Sequence, residues 1–150
     1  MNKDRLYIAY GSNLNLEQMK HRCPTAEVVG TAELKNWRLW FQGGTHSAVA
    51  TIERERGFKV PVLVWRIQPR DEAALDRYEG FPFLYRKETL RLTVNGRWVY
   101  AMVYIMNEAG HPYGISSAGY LNTIREGYES ANFDTGVLYD AVNYSKEAAE

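Results

Sequence analysis

The feature that most constrains the fold is an apolar run near the N-terminus that stops abruptly at a glycine. Leu6–Tyr10 contains only apolar and aromatic residues, which predicts a short buried strand. Gly11 breaks this pattern, and Asn13 or Asn15 can cap a helix that begins near Leu16. A strand that leads through such a turn into a helix leaves backbone N–H groups without partners. With the positive end of the helix dipole, these N–H groups predict a small anion site for a carboxylate or phosphate.

Several strands are expected in the following two thirds of the chain, since runs of aromatic and β-branched residues alternate with turn residues. The charged segment Glu53–Gly57 predicts an exposed turn. Asn95-Gly96 is the pair of residues preferred in a two-residue hairpin turn. The predicted strands are Ala26–Leu34 and Trp37–Gln42, joined at Lys35-Asn36, then Ala48–Ile52, Lys59–Ile67, Tyr85–Val94 and Trp98–Met106.

Helices are predicted between and after these strands. One starts at Gln68-Pro69 and ends at Glu79, because Gly80 is a good C-terminal stop. Another runs from a Ser116 or Ser117 cap to about Ser130, and a last helix follows Asp134. Strands that are segregated from helices predict an α+β fold in a single domain, 1–150, with a mixed or antiparallel sheet that can curl into a barrel.

Composition excludes several classes of partner. The formal net charge of zero argues against nucleic acid and against an electrostatic membrane surface, and no apolar run approaches the roughly 20 residues of a membrane helix. No signal peptide is recognisable before the first strand, and the single cysteine, Cys23, fits a reducing cytoplasm. The scattered histidines have no metal-ligand spacing. We therefore expect a cytoplasmic protein with no cofactor and no structural zinc.

The residues alone leave several chemical readings open. Ser12 could be a nucleophile, although the Gly-x-Ser-x-Gly elbow is absent. Cys23 precedes a proline at a helix end, where a packed side chain is the simpler interpretation, and Gly11 lacks the further glycines of a dinucleotide site. From the residues alone, a structural turn with Glu79 exposed elsewhere on the surface is as good an interpretation as a functional site that contains both. Against the surface position, a carboxylate is disfavoured at a helix C-terminus.

A resemblance to a known family favours the functional site over the surface glutamate. The segment Tyr7–Leu14 together with Asp76–Gly80 resembles the gamma-glutamylcyclotransferase family. Weaker matches follow in the same order at Ser47–Ile52, Tyr85 and Val103–Met106, so that the resemblance covers roughly residues 6–130. It implies a small mixed β-barrel or curled sheet flanked by helices, with the pocket at one end.

The activity that the resemblance implies is the release of an amine from a gamma-glutamyl amide, with conversion of the glutamyl part into 5-oxoproline. The substrate's α-amine attacks its own γ-carbonyl, so the protein mainly positions the chain. In this interpretation Glu79 is the general base and then the acid, with its pKa raised by Tyr78, Phe81 and Phe83. The substrate-binding candidates are the turn residues Tyr10, Gly11, Ser12 and Asn13, whose N–H groups would hold the α-carboxylate or, less favourably, the oxyanion, and the tyrosines Tyr85, Tyr104 and Tyr120.

Two points stay open at the level of sequence. The accepted amine is undetermined, because relatives of this kind act on gamma-glutamyl amino acids, on gamma-glutamyl-lysine or on gamma-glutamyl groups of antibiotic precursors. The second is whether the chain is instead a binding module for a carboxylate-bearing metabolite, without chemistry. Glu79 argues against such a module, because a protein that grips an anion has no reason to keep a carboxylate nearby. The oligomeric state is not constrained.

Overall fold

The computed structural model describes residues 4–107 and 112–149, and these form one sheet with helices around it. The strands are β1 (Arg5–Ala9), β2 (Glu27–Gln42), β3 (Val49–Ile67), β4 (Tyr85–Val94) and β5 (Arg97–Met106). The helices are α1 (Leu16–Arg22), α2 (Pro69–Glu79), α3 (Ala118–Ser130) and α4 (Thr135–Ala149), and a short 3-10 helix covers Ser12–Leu14. The α+β class is confirmed. Within the described ranges, no helix combines the length and the apolar character needed to cross a membrane.

The sheet is mixed and curled. Its strand order is β2-β3-β1-β5-β4, in which β1 runs parallel to β5 and the other neighbours are antiparallel. The two edge strands approach each other, because Nδ2 of Asn95 in the β4–β5 turn donates to the Val29 carbonyl of β2 at 3.0 Å. The expected curled sheet is therefore confirmed, with β1 at its centre.

Two of the predicted strand breaks are wrong. β2 continues through Lys35-Asn36, because Asn36 adopts a φ of 66° and forms a bulge without reversing the chain. β3 likewise continues through the charged segment predicted as a turn, where residues 55–58 stand opposite Asn36 alone. The Asn36 side chain accepts the N–H of Gly57 at 3.1 Å and holds the two bulged strands together. Periodicity could not separate a bulge from a turn, since both interrupt the alternation.

The other boundaries agree with the expectations. The Asn95-Gly96 hairpin is present, Ser117 caps α3, and Gly80 ends α2 in the left-handed conformation with a φ of 66°. Asn15, one of the two candidate caps, accepts the Gln18 N–H at the start of α1. The sequence also predicts a loop over residues 107–115, because glycine and proline recur there. This segment falls partly on residues 108–111, which lie outside the described residues.

Helix α3 lies directly on the turn that follows β1. Gly127 makes this possible: a Cβ at this position would lie 2.6 Å from the Leu14 Cβ and 2.9 Å from the Asn15 nitrogen. Leu14 is fully buried, and the Asn15 side chain donates to the Thr123 carbonyl of α3 at 3.0 Å. The conformation of the turn is thus determined by helix packing as well as by its own residues.

We expect Gly127→Ala to lower the free energy of unfolding by about 1–3 kcal/mol, because the added methyl group overlaps the backbone of the turn. Gly119→Ala in the same helix is the control, since a Cβ there meets nothing within 4 Å and alanine favours the helix by up to about 1 kcal/mol. Urea denaturation of both variants measures the difference. Equal stability of the two would contradict the close packing of α3 on the turn.

Candidate active site

A small cavity lies where β1 ends, between the turn and the C-terminal end of α2. Its volume is about 20 Å³. All eight sequence-predicted site residues line it, namely Tyr10, Gly11, Ser12, Asn13, Glu79, Tyr85, Tyr104 and Tyr120. The sequence reasoning missed Tyr7, Ile8 and Ala50, which also line the cavity. Tyr7 could have been found from the strand prediction, because its ring lies on the same short strand as Tyr10.

The turn presents unpaired backbone donors to this cavity. Leu14 and Asn15 close the 3-10 helix by donating to the carbonyls of Gly11 and Ser12 at 3.0 and 3.1 Å. The N–H groups of residues 11–13 have no acceptor within the part of the chain that the structure describes. A Cβ at Gly11 would lie 3.1 Å from the Ala50 Cβ, so glycine permits the close approach of the turn to β3. The turn can therefore bind an anionic oxygen of a ligand.

Glu79 is the last residue of α2 and is partly buried against the cavity. Its carboxyl group has no hydrogen bond or ion pair among the described residues. Burial raises its pKa from 4.5 to about 7, and the nearby positive charge of Arg22 partly opposes this shift. The expected contribution of Phe83 is wrong, because that side chain is 85% exposed. The carboxyl group shares its cavity with tyrosines of β1, β4, β5 and α3 instead.

Three of the cavity tyrosines direct their hydroxyl protons at fixed protein acceptors. Tyr10 donates to the Tyr104 carbonyl at 2.7 Å, Tyr85 to the Ala50 carbonyl at 2.6 Å, and Tyr104 to Oδ1 of Asp76 at 2.6 Å. These hydrogen bonds therefore hold the three side chains in the cavity wall. Each hydroxyl proton can be donated to a ligand only if its short hydrogen bond to the protein is broken.

Two further tyrosines accept hydrogen bonds. The Ala50 N–H donates to the Tyr120 hydroxyl, and Nδ2 of Asn13 donates to the Tyr7 hydroxyl, both at 2.9 Å. Neither hydroxyl proton has an acceptor within the described ranges. Burial is the largest cause that raises the pKa of each, so both remain protonated at neutral pH. Tyr7 and Tyr120 therefore differ from the other three as potential donors to a ligand.

The alternative nucleophiles lack the surroundings that such chemistry needs. Ser12 Oγ lies 3.0 Å from the Tyr78 hydroxyl, and neither His21 nor His46 is in the cavity lining; His111 lies outside the described residues. Cys23 is buried, its thiol donates to the Asp71 carbonyl, and burial raises its pKa to about 12. A thiol with this pKa is not ionised at neutral pH. No group of three or more metal-ligating side chains occurs within residues 4–107 and 112–149.

A larger groove of about 1000 Å³ lies toward the Asn95-Gly96 end of the sheet. Three of its four cationic side chains are engaged with neighbours: Arg54 stacks on Trp37, Arg91 stacks on Trp98, and Lys59 pairs with Glu33. It contains none of the predicted site residues. Size alone does not make this groove the site, because the unpaired donors and the partnerless carboxyl group lie in the smaller cavity.

The protein is therefore a small α+β protein with a curled mixed sheet. Its closed cavity lies at the end of the first strand, between the turn and the carboxyl group of Glu79. The model of the family described as gamma-glutamyl cyclotransferase, AIG2-like, matches residues 7–122, and the chain belongs to this family. The resemblance stated from the sequence is thereby confirmed.

Individual relatives agree with this assignment. Bovine gamma-glutamylcyclotransferase is 38% identical over 82 residues, which is 50% of this chain and 44% of the bovine protein. The match thus spans less than half of that relative's length. A solved structure of a gamma-glutamyl cyclotransferase is similar with a TM-score of 0.80 at 25% identity, over 99% of this chain and 89% of that one. The crystal structure of an uncharacterized human protein gives 0.79 at 25% identity, over 98% and 88% of the two chains.

The raised pKa of Glu79 predicts how stability depends on pH. The folded state holds a proton on Glu79 up to about pH 7, whereas the unfolded chain releases it near 4.5. The folded state binds more protons in this window, so this contribution to stability is complete below about pH 4.5 and is lost as the pH rises through 7. The shift corresponds to a loss on the order of 3 kcal/mol.

We therefore expect Glu79→Gln, which cannot ionise, to gain stability relative to the unmodified protein as the pH rises from 5 to 8. Thermal unfolding across this range measures the gain. Glu147→Gln, on the exposed face of α4, is the control and should show no such trend. A constant difference between Glu79→Gln and the unmodified protein would mean that the carboxyl group is solvated in the folded state.

Proposed function

We propose that this protein is a gamma-glutamyl cyclotransferase that converts a gamma-glutamyl amide into 5-oxoproline and a free amine or amino acid. The observation that carries the proposal is a partnerless carboxyl group, Glu79, in the same cavity as the unpaired N–H groups of residues 11–13. Family membership supports the same reaction, of the acyltransferase or lyase type. No cofactor is required, because the nucleophile belongs to the substrate.

In the proposed mechanism the turn binds the substrate's α-carboxylate. The N–H groups of Gly11, Ser12 and Asn13 are unpaired donors next to Glu79, and a carboxylate can accept two or three such bonds. Anchoring this end leaves the flexible glutamyl side chain to fold back, so that the α-amine approaches the γ-carbonyl. Because the two reacting groups already belong to one molecule, the protein contributes by restricting the glutamyl chain to conformations in which they can react.

Glu79 moves the protons of the reaction. The α-ammonium group loses one proton before it attacks the γ-carbonyl and a second one after the C–N bond forms. The leaving nitrogen gains two protons as the amide bond breaks, so the carboxylate can take up and deliver each proton in turn and end unchanged. A pKa of about 7 suits both directions of transfer at neutral pH.

The tyrosines form the proposed substrate-binding wall. Tyr10, Tyr85 and Tyr104 are held by their own hydrogen bonds, whereas Tyr120 keeps a proton for the ligand. The cavity of about 20 Å³ holds one water molecule and no glutamyl group. Substrate entry therefore requires the cavity to widen.

A cytoplasmic location remains a prediction that rests on the single, unpaired Cys23. The proposed partner is a small gamma-glutamyl molecule, and the zero net charge argues against nucleic acid. The accepted amine is left to experiment, since it would contact the mouth of the cavity and not the turn.

Incubating the protein with a panel of gamma-glutamyl dipeptides and amines, and measuring 5-oxoproline by mass spectrometry, tests the reaction. We expect release from at least one member, and a loss of kcat of at least 10²-fold in Glu79→Gln because the proton transfers have no carrier. Glu147→Gln serves as the control and should keep full turnover. Undiminished turnover by Glu79→Gln would remove Glu79 from the mechanism.

The same panel separates the enzyme from a binding module. If 5-oxoproline or a glutamyl compound binds tightly and no member of the panel is turned over, the protein binds an anion at the turn but does not catalyse the reaction. Calorimetric titration of 5-oxoproline with the unmodified protein measures the binding part of this comparison, and the turnover panel measures the chemistry.

The pH profile is a further expectation of the mechanism. Only ionised Glu79 accepts the first proton, so kcat/KM for the free enzyme should rise with pH through about 7. Steady-state rates between pH 5 and 9, on the preferred member of the panel, measure the midpoint. A profile that is flat between pH 6 and 8 would contradict a base with this pKa.

A further inference from the structure

A chain of side-chain hydrogen bonds leads from the protein surface into the cavity. Arg22, at the end of α1, donates from Nη1 to Oδ1 of Asn13, and Asn13 donates from Nδ2 to the Tyr7 hydroxyl at 2.9 Å. Asn13 and Tyr7 are both buried, with exposed fractions of 3% and 4%. The cation at the outer end and the phenol at the inner end are therefore connected through one amide group.

The charge of Arg22 determines which way this amide points. A guanidinium group can only donate, so the oxygen of Asn13 faces Arg22 and the NH₂ group faces Tyr7. Arg22 is itself fixed, because its Nη2 donates to Gln18 at 3.0 Å and its guanidinium lies 3.4 Å above the Tyr78 ring. The hydroxyl of Tyr7 must then accept from Asn13, and its own proton turns away from that partner.

The proton of Tyr7 is left facing the cavity. It has no acceptor within residues 4–107 and 112–149, and Tyr7 shares the cavity lining with Glu79. Burial, and after it the charge of Glu79, raise the pKa of Tyr7 and keep the phenol protonated. In the proposed reaction the γ-carbonyl lies beside the α-amine that Glu79 deprotonates, and therefore also near Tyr7.

We infer that the Tyr7 hydroxyl donates a hydrogen bond to the γ-carbonyl oxygen of the substrate, and that Arg22, acting through Asn13, is the positioning residue that aims this proton. The inference rests on the proposed function. A donor that is oriented before the substrate arrives stabilises the oxyanion of the tetrahedral intermediate without reorganisation during the reaction. Tyr7 thus adds a side-chain donor from β1, whereas Tyr85 and Tyr120 belong to β4 and α3.

The first test is binding of 5-oxoproline, whose ring carbonyl oxygen is the former γ-carbonyl oxygen. We expect Tyr7→Phe to bind it about tenfold more weakly by calorimetry, as the loss of one hydrogen bond predicts. Tyr128→Phe is the matched control, because the Tyr128 hydroxyl is buried in the core without a partner among the described residues and lies outside the cavity. An unchanged affinity in Tyr7→Phe, or no binding by the unmodified protein, would overturn the inference.

The second test uses turnover at a pH well above 7, where Glu79 is ionised in every variant. Tyr7→Phe should lower kcat roughly 10²-fold with a smaller change in KM, because the donor acts mainly on the developing oxyanion. Asn13→Asp keeps a partner for Arg22 but offers Tyr7 an acceptor, which draws its proton out of the cavity. Combined with Tyr7→Phe, this substitution should cause little further loss of kcat, whereas independent effects would multiply.

Arg22 is tested as a positioning residue by two substitutions. Arg22→Lys keeps a cationic donor and should retain most of kcat, whereas Arg22→Met frees the amide to flip and should lose a large part of it. A purely structural role would lower the melting temperature of both variants without this difference in kcat. If no gamma-glutamyl compound is turned over, the proposed function fails, and the binding test with 5-oxoproline still decides the role of Tyr7.

Discussion

The buried turn between β1 and α1 is the constraint on which the rest of the structure depends. Polar backbone groups placed in a protein interior need partners, and here side chains from distant elements supply them. Trp65 of β3 donates to the Asn13 carbonyl at 3.2 Å, and Asn15 both caps α1 and donates to α3. The N–H groups of residues 11–13 have no such partner among the described residues, and a buried donor without a partner is costly unless a ligand completes it.

Glu79, like the unpaired N–H groups of the turn, is a polar group that lowers the stability of the folded protein. Its burial without a partner weakens the folded state at neutral pH, and this cost is what moves its pKa to about 7. An ion pair would remove the cost and also the ability to exchange protons near neutral pH. Arg22 lies close enough to moderate the shift but is occupied by Asn13, Gln18 and the Tyr78 ring. The carboxyl group therefore stays free to titrate.

Much of the fold could be predicted from local sequence. Turn and capping residues determine their own surroundings, so the Asn95-Gly96 hairpin, the Ser117 cap and the end of α2 at Gly80 were correct. The bulge at Asn36 could not be predicted, because it depends on a hydrogen bond to Gly57 across the strand pair. The site residues were found through the family resemblance, and the residues by themselves left Glu79 on the surface as an equal alternative.

What the sequence could not reveal is the direction of each hydrogen bond in the cavity. Tyr7 lies on β1 and Tyr10 directly follows this strand, and both line the cavity, so no sequence pattern distinguishes them. The first donates to a β5 carbonyl and the second accepts from an asparagine amide, so they have opposite consequences for a ligand. For Tyr7 the direction is set by Arg22, because a cation that can only donate fixes the Asn13 amide that lies between Arg22 and Tyr7. Orientation within a polar network is a tertiary property, and it decides which of several identical side chains can take part in the chemistry.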